Sequence, residues 1–250
     1  MSVPLRQRLI TLLRILALLV IIRVQIAVLW NYPAYLVPDF DTDFLRGRQS
    51  HFFGLYQVAF YTHLVSGPLS ILLGLILFSR TVRSRLPRLH RVLGRAQMLN
   101  LLLLLTPSGL WMAFYAEAGP IAVVGFLMLT LLTASCVLLG WRSAVSRRFD
   151  RHQRWMTRTL LLLGSAILIR ILGGTATYFE LDFDGLNPAL PWLSWILPLG
   201  LYEVVLRRLA RARSHGDRMP AVAVRSVSTC PAPSAAGPDS AASVQSTAGH

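Results

Sequence analysis

The sequence has 250 residues, of which 54% are hydrophobic and only 14% are charged, more apolar side chain than a soluble domain of this length needs for its core. This composition excludes an ordinary soluble fold and predicts that much of the surface faces lipid. The formal net charge of +14 comes from arginine without any lysine, and the arginines cluster between apolar runs. That placement is typical of membrane proteins and argues against nucleic acid as a partner.

Six apolar segments are each long enough to cross a bilayer as a helix, which takes about 20 residues. The first is longer than the ~7 to 15 residue core of a signal peptide and lacks a small-residue cleavage site, so we expect it to be retained. The predicted fold class is all-α, a polytopic transmembrane bundle of six helices over residues 9–213, preceded by an N-terminal segment, 1–8. The predicted helices are approximately 9–30, 55–78, 97–116, 120–141, 158–178 and 190–208.

The charges in the connections predict the orientation of the bundle. The second and fourth connections are rich in arginine, whereas the first, third and fifth carry most of the acidic residues. By the positive-inside rule, the arginine-rich connections and both chain ends are cytoplasmic, in the cell (inner) membrane. We expect these connections to bind anionic lipid head groups. Residues 214–250 are rich in Ala, Ser, Pro and Gly and predict a disordered cytoplasmic tail, and no protein partner is indicated.

Ionisable side chains inside the apolar segments are candidates for function, because a charge in the bilayer is costly without a partner. With a rise of ~1.5 Å per residue, Arg23, His63 and Arg170 lie about 18 to 25 Å from the cytoplasmic boundary and share one layer in the outer half of the membrane. One interpretation is a site for an anion, a quinone carbonyl or a haem propionate, with His63 as ligand or proton carrier. The other is structural: the arginines bond carbonyls opened by helix distortions, such as that of Leu64 opposite Pro68, and His63 makes a hydrogen bond between helices.

Two histidines and a carboxylate are expected near the cytoplasmic boundary. His90 and His152 precede the third and fifth apolar segments, and Glu203 lies near the end of the sixth. Such a set binds iron or zinc with open positions, so it predicts a metal site if the fold brings the three together. Alternatively, the histidines belong to basic connections that bind lipid head groups. No hydrolase, nucleotide-binding or zinc-protease motif occurs, and no catalytic residue is predicted.

Three segments carry a resemblance to a known family. They are His63-x-x-x-Gly67-Pro68, Leu89-His90-Arg91-x-x-Gly94-Arg95 and Arg151-His152-x-Arg154-Trp155-Met156-x-Arg158. With them, the chain resembles domain-of-unknown-function family 2306, predicted bacterial membrane proteins, over roughly the second to the sixth helix. This resemblance implies a membrane protein without an agreed activity. The second segment is also, more weakly, similar to histidine-bearing stretches of membrane cytochromes of the b561 and ferric reductase kinds, which implies haem. Those cytochromes place paired histidines within helices, and here only His63 lies well inside the membrane.

Three functions stay open at this point, and the sequence does not decide whether the protein is an enzyme. The leading hypothesis is a redox or metal-linked role through His63, His90 and His152, with haem or a transition metal as cofactor. The first alternative is a transporter or lipid-binding membrane protein without redox chemistry, in which Arg23, His63 and Arg170 hold an anionic substrate. The second alternative is an assembly partner of a membrane complex.

Overall fold

A computed structural model describes residues 3–41, 44–180 and 186–216. This part of the chain is helical and contains no β-strand, which confirms the all-α class. A π-helical turn, Asn100–Leu105, separates α6 from α7. The helices are α1 (Val3–Trp30), α2 (Tyr32–Leu36), α3 (Gln49–Phe52), α4 (Leu55–Phe78), α5 (Arg80–Arg85), α6 (Pro87–Leu99), α7 (Thr106–Ala113), α8 (Pro120–Val145), α9 (Phe149–Tyr178) and α10 (Leu186–Gly216).

Six helices in the described residues are long and apolar enough to cross a membrane, as the sequence predicts. The third of them is composite, since α6, the π-helical turn and α7 follow one another without a break over Pro87–Ala113. It begins at Pro87 and the fifth begins at Phe149, earlier than the expected starts at 97 and 158. The reason is that arginine-bearing first turns continue each helix beyond its apolar segment.

Neighbouring helices pack closely where a glycine replaces a larger side chain. α8 runs along α9, and a Cβ atom at Gly140 would lie 3.3 Å from the Cβ of Trp155 and would collide with Met156. α4 packs against the π-helical turn and α7, which in turn packs against α8. α1 is the least enclosed spanning helix, with no buried residue in its apolar stretch. Gln25 of α1 reaches α4, donating to the carbonyl of Pro68 at 3.4 Å.

The described residues of the connections, 31–41, 44–54 and 114–119, form what we call the aromatic end of the bundle. Arg48 is only 8% exposed there, and its guanidinium donates to the Tyr56 hydroxyl at 2.8 Å and to the Phe44 carbonyl at 2.7 Å. Glu117 lies 3.4 Å from the same guanidinium. Edge-to-face and stacked rings surround this centre: Tyr35, Phe40, Phe44, Phe52, Tyr56, Phe60, Tyr61 and Tyr115.

The opposite end, which we call the arginine-rich end, contains α5 and the turn between α8 and α9. Arg147 adopts φ +55° in that turn, and Arg148 precedes the first residue of α9. α10 continues to Gly216, and the rest of the predicted tail, 217–250, lies outside the described residues.

Candidate functional site

Pro68 interrupts the hydrogen bonding of α4 in the middle of the helix. A proline has no backbone N–H, so the carbonyl one turn earlier loses its partner. That carbonyl belongs to Leu64, and the hydroxyl of Tyr32 donates to it. The helix distortion expected from the sequence is therefore present, and α2 supplies the missing donor.

Ser108 lies just beyond the π-helical turn, in the first part of α7. Pro107 removes a backbone donor from this composite helix, and π-helical turns of this kind are frequent at functional sites. Side-chain hydroxyls bond the loosened carbonyls: Thr106 Oγ1 donates to Leu101 at 2.7 Å and Ser108 Oγ donates to Leu104 at 2.6 Å. Because its hydrogen is directed at Leu104, the Ser108 oxygen is left to accept a bond from another helix.

His63 makes that bond from α4, with Nδ1 lying 3.3 Å from Ser108 Oγ. Since Ser108 uses its own hydrogen elsewhere, Nδ1 is the protonated nitrogen of the ring and Nε2 carries the lone pair when the ring is neutral. Gly109 makes room for the imidazole, because a Cβ atom there would lie 3.4 Å from both His63 Cε1 and Thr130 Oγ1. The ring is thus held by α7 in one orientation with Nε2 available.

Arg170 of α9 lies near His63, within electrostatic range of the imidazole and of the phenol of Tyr32. Its Nη1 donates to the carbonyl of Ala166 at 2.8 Å, and its side chain is exposed. Burial raises the pKa of the Tyr32 phenol, and the positive charge of Arg170 opposes that shift. We call His63, Ser108, Arg170 and Tyr32 the His63–Arg170 centre.

Arg23 is the third member of the layer expected from the sequence. It is exposed on α1, and the described residues show no hydrogen bond or ion pair for it. His63 of α4 and Arg170 of α9 thus lie within electrostatic range of each other, whereas no described contact joins Arg23 to either of them.

The three residues of the expected metal site have different partners. His152 Nδ1 lies 2.9 Å from the carbonyl of Gly140, and Glu203 accepts a hydrogen bond from Arg158 Nε at 2.6 Å. His90 lies within electrostatic range of His152, and its Nδ1 is buried without a hydrogen-bond partner. Within the described ranges, no group of three or more His, Cys, Asp or Glu side chains is placed to hold a metal ion.

The ion pair of Arg158 and Glu203 is a feature that the sequence did not predict. The guanidinium lies 4.6 Å above the ring of Trp155 and 5.9 Å from that of Tyr202. Both charged side chains are mostly enclosed, at 20% and 31% exposure. The ion pair joins α10 to α9, so the carboxylate of Glu203 makes a structural contact.

Six long apolar helices, with polar side chains bonding across them, define an integral membrane protein of the all-α class. Residues 60–206 match the model of domain-of-unknown-function family 2306, described as "Predicted membrane protein". Because the match covers more than half of the chain, the protein belongs to this family, which confirms the resemblance read from the sequence. The matched region begins in α4 and ends in α10, so it contains His63 and Arg170 and leaves out α1. No curated protein and no solved structure gives a significant match.

Proposed function

We propose that this membrane protein binds the carboxylate or phosphate head of an amphiphilic ligand at the His63–Arg170 centre, as a transporter or a lipid-binding protein. The observation that carries the proposal is the set of contacts that the Arg170 side chain makes. Its guanidinium lies in a spanning helix, bonds the Ala166 carbonyl of its own helix and has no ion-pair partner among the described residues.

A guanidinium offers five N–H donors and a full positive charge. Inside a bilayer, such a group is costly unless it pairs with an anion or lines a polar cavity. The Ala166 carbonyl satisfies one donor and supplies no charge. A carboxylate or phosphate satisfies the remaining donors in the bidentate geometry for which arginine is suited, which supports an anionic ligand.

His63 and Tyr32 give the same centre two further polar groups of different kinds. The lone pair on His63 Nε2 accepts a hydrogen bond or a proton, so it suits the acidic hydrogen of a protonated ligand. The phenol of Tyr32 is held near Arg170 by its bond to Leu64. A head group whose oxygen accepts from Arg170 and whose remaining acidic O–H donates to His63 Nε2 is consistent with both contacts.

The exposure of the Arg170 side chain supports a ligand that arrives from the lipid. Arg170 is exposed together with the adjacent Ile171, whereas Ile167, one turn earlier on α9, is buried. A side chain exposed within an apolar spanning segment meets the bilayer directly, unless another chain covers it. A ligand with a charged head and an apolar tail is compatible with that route.

The test measures ligand binding by native mass spectrometry of protein purified in mild detergent and stripped of lipid. The probes are oleate against oleyl alcohol, and phosphatidylglycerol against phosphatidylcholine. Loss of a charge-assisted pair is worth about 1.5 to 3 kcal/mol, so we expect Arg170→Gln to weaken binding of the anionic probes about tenfold or more. Oleate-selective binding would indicate a carboxylate ligand, and phosphatidylglycerol-selective binding a phosphate ligand.

Arg23→Gln is the matched control, since it removes the same charge from an exposed position on α1. It should leave binding of both anionic probes unchanged. Equal binding of anionic and neutral probes, or equal binding to wild type and Arg170→Gln, would overturn the proposal.

A second candidate is the redox or metal-linked function through His63, His90 and His152, and one observation favours it. His152 donates its Nδ1 hydrogen to a backbone carbonyl, which is how histidines that bind metals are commonly oriented, with Nε2 left as the ligand. Visible absorption and elemental analysis of the purified protein test this function. A Soret band or stoichiometric metal that disappears in His63→Ala or His152→Ala would support it, and colourless, metal-free protein would count against it.

A further inference from the structure

Two amide side chains of the composite third helix bond backbone carbonyls of α4. Gln97 Nε2 donates to the carbonyl of Ser70 at 2.8 Å, and Asn100 Nδ2 donates to the carbonyl of Ser66 at 3.1 Å. A carbonyl oxygen only accepts hydrogen bonds, so the nitrogen of each amide must face α4 and its oxygen must point elsewhere. We call Ser66, Ser70, Gln97 and Asn100 the amide seam.

Three polar atoms of the amide seam are buried with no hydrogen-bond partner in the protein: Ser66 Oγ, Gln97 Oε1 and Asn100 Oδ1. Their residues are 1%, 7% and 5% exposed. Ser66 and Ser70 are one helical turn apart on α4, as are Gln97 and Asn100 on the third helix. The residues that carry the three unpartnered atoms therefore lie within about 6 Å of one another along the helix axes. Each buried polar group left without a partner costs about 1 to 3 kcal/mol, so an occupant that offers hydrogen bonds to these atoms would stabilise the seam.

We propose that the amide seam is a binding site for water inside the membrane-spanning bundle. The two amide oxygens accept hydrogen bonds, and water donates two. The hydroxyl of Ser66 both donates and accepts, so it can complete the same cluster. Ordered water is also one of the means by which transmembrane helices broken by proline satisfy their freed backbone groups, and this seam lies between Pro68 and the π-helical turn.

A monovalent cation is the other occupant that three oxygen atoms suggest, and the charges argue against it. All four side chains of the seam are neutral. Glu203, a carboxylate in a spanning helix, is already paired with Arg158. A cation in the seam would therefore carry an uncompensated charge in a low-dielectric region, which is far more costly than placing neutral water there.

Hydration of the seam does not depend on ligand binding at the His63–Arg170 centre, although the two sites are neighbours. Ser66 follows His63 by three residues on α4, so the seam begins about one helical turn from the imidazole. Water in the seam thus extends the polar interior of the bundle from Ser108 and His63 toward Gln97.

The experiment is water-edited solid-state NMR of isotope-labelled protein in phospholipid bilayers containing sodium-free buffer. It measures the transfer of magnetisation from water protons to the side-chain carboxamide carbons of Asn100 and Gln97. Leu101, which is 2% exposed in the same helix, is the internal control for a dry buried site. We expect transfer to the two amides to be several-fold faster than to Leu101, and Ser66→Ala or Asn100→Leu to slow the transfer to Gln97.

Transfer to both amides as slow as to Leu101 would overturn the proposal, and the wild-type spectrum alone decides this. Slow transfer together with an apparent melting temperature that rises in sodium chloride but not in choline chloride would overturn it in favour of a cation. Failure of the Arg170 binding test would leave this result unaffected, because the NMR measurement uses no added ligand.

Discussion

Arg158 and Glu203 form an ion pair between two spanning helices, and removing either residue would leave the charge of the other unpaired. The guanidinium also lies over Trp155, so removing the carboxylate would leave a cation enclosed by aromatic rings and apolar helix. Partly exposed, charge-assisted contacts of this kind are worth about 1.5 to 3 kcal/mol. We expect Glu203→Gln to lower the free energy of unfolding by about 2 kcal/mol, seen as a lower apparent melting temperature in a bilayer mimic.

The control for this substitution is Arg154→Gln, which changes an exposed charge one turn earlier on α9 and should be nearly neutral. Replacing both partners with leucine should restore most of the lost stability, because an enclosed pair is often no better than two apolar side chains. A Glu203→Gln protein as stable as the Arg154→Gln protein would show that the pair contributes nothing.

Single residues differ in how far their roles can be predicted from the sequence. His63 and Arg170 can be recognised from the sequence, because each is a polar residue inside an apolar segment. Their partners cannot, since Ser108 follows His63 by 45 positions. The role of Arg48 could not be predicted at all. In the sequence it is one of the cations of a connection, whereas in the fold it is buried beside Tyr56 and Glu117.

At the scale of helices, the contact between α8 and α10 depends on a glycine. Trp192 of α10 donates its indole hydrogen to the carbonyl of Ile121 at 2.9 Å, and the ring lies across Gly125, one turn further along α8. A Cβ atom at Gly125 would lie 2.9 Å from Trp192 Nε1 and 3.2 Å from Pro191 Cβ. We expect Gly125→Ala to displace α10 and lower the free energy of unfolding by about 1 to 3 kcal/mol, measured by thermal unfolding in a bilayer mimic.

Gly164→Ala supplies the matched control, because no atom lies within 4 Å of a Cβ placed there. In a helix interior, that change should be neutral or stabilising by up to about 1 kcal/mol. Trp192→Leu should reduce the penalty of Gly125→Ala, since it removes the ring that the new methyl group meets. If Gly125→Ala were as stable as Gly164→Ala, α10 would not be held by this contact.

The six helices themselves were predictable, because a bilayer requires long apolar segments whatever the tertiary fold. The π-helical turn was not, although Pro107 marked its neighbourhood, since a proline predicts a distortion without its form. Whether His90, His152 and Glu203 converge could not be derived from the sequence either. It depends on helix rotation, and in the structure Glu203 faces Arg158 while His152 faces Gly140.

Across the whole molecule, charge is divided between two unlike ends. The arginine-rich end carries α5 and the α8–α9 turn, with several arginines and few acids. The aromatic end is closed by packed rings around Arg48. Because arginine near a spanning helix resists translocation across the membrane, we predict that the arginine-rich end faces the cytoplasm and the aromatic end faces the other side.

Cysteine labelling in intact cells tests this orientation in a protein lacking Cys136 and Cys230. Ser50 at the aromatic end and Ser146 at the arginine-rich end are both exposed serines, so each accepts a cysteine with little structural change. A membrane-impermeant maleimide should label Ser50→Cys in intact cells and Ser146→Cys only after the membrane is permeabilised. The reverse pattern would mean that packing of the aromatic end, and not arginine, determines the orientation. It would also place the His63–Arg170 centre in the half of the bilayer that faces the cytoplasm, and thereby change the leaflet from which its ligand enters.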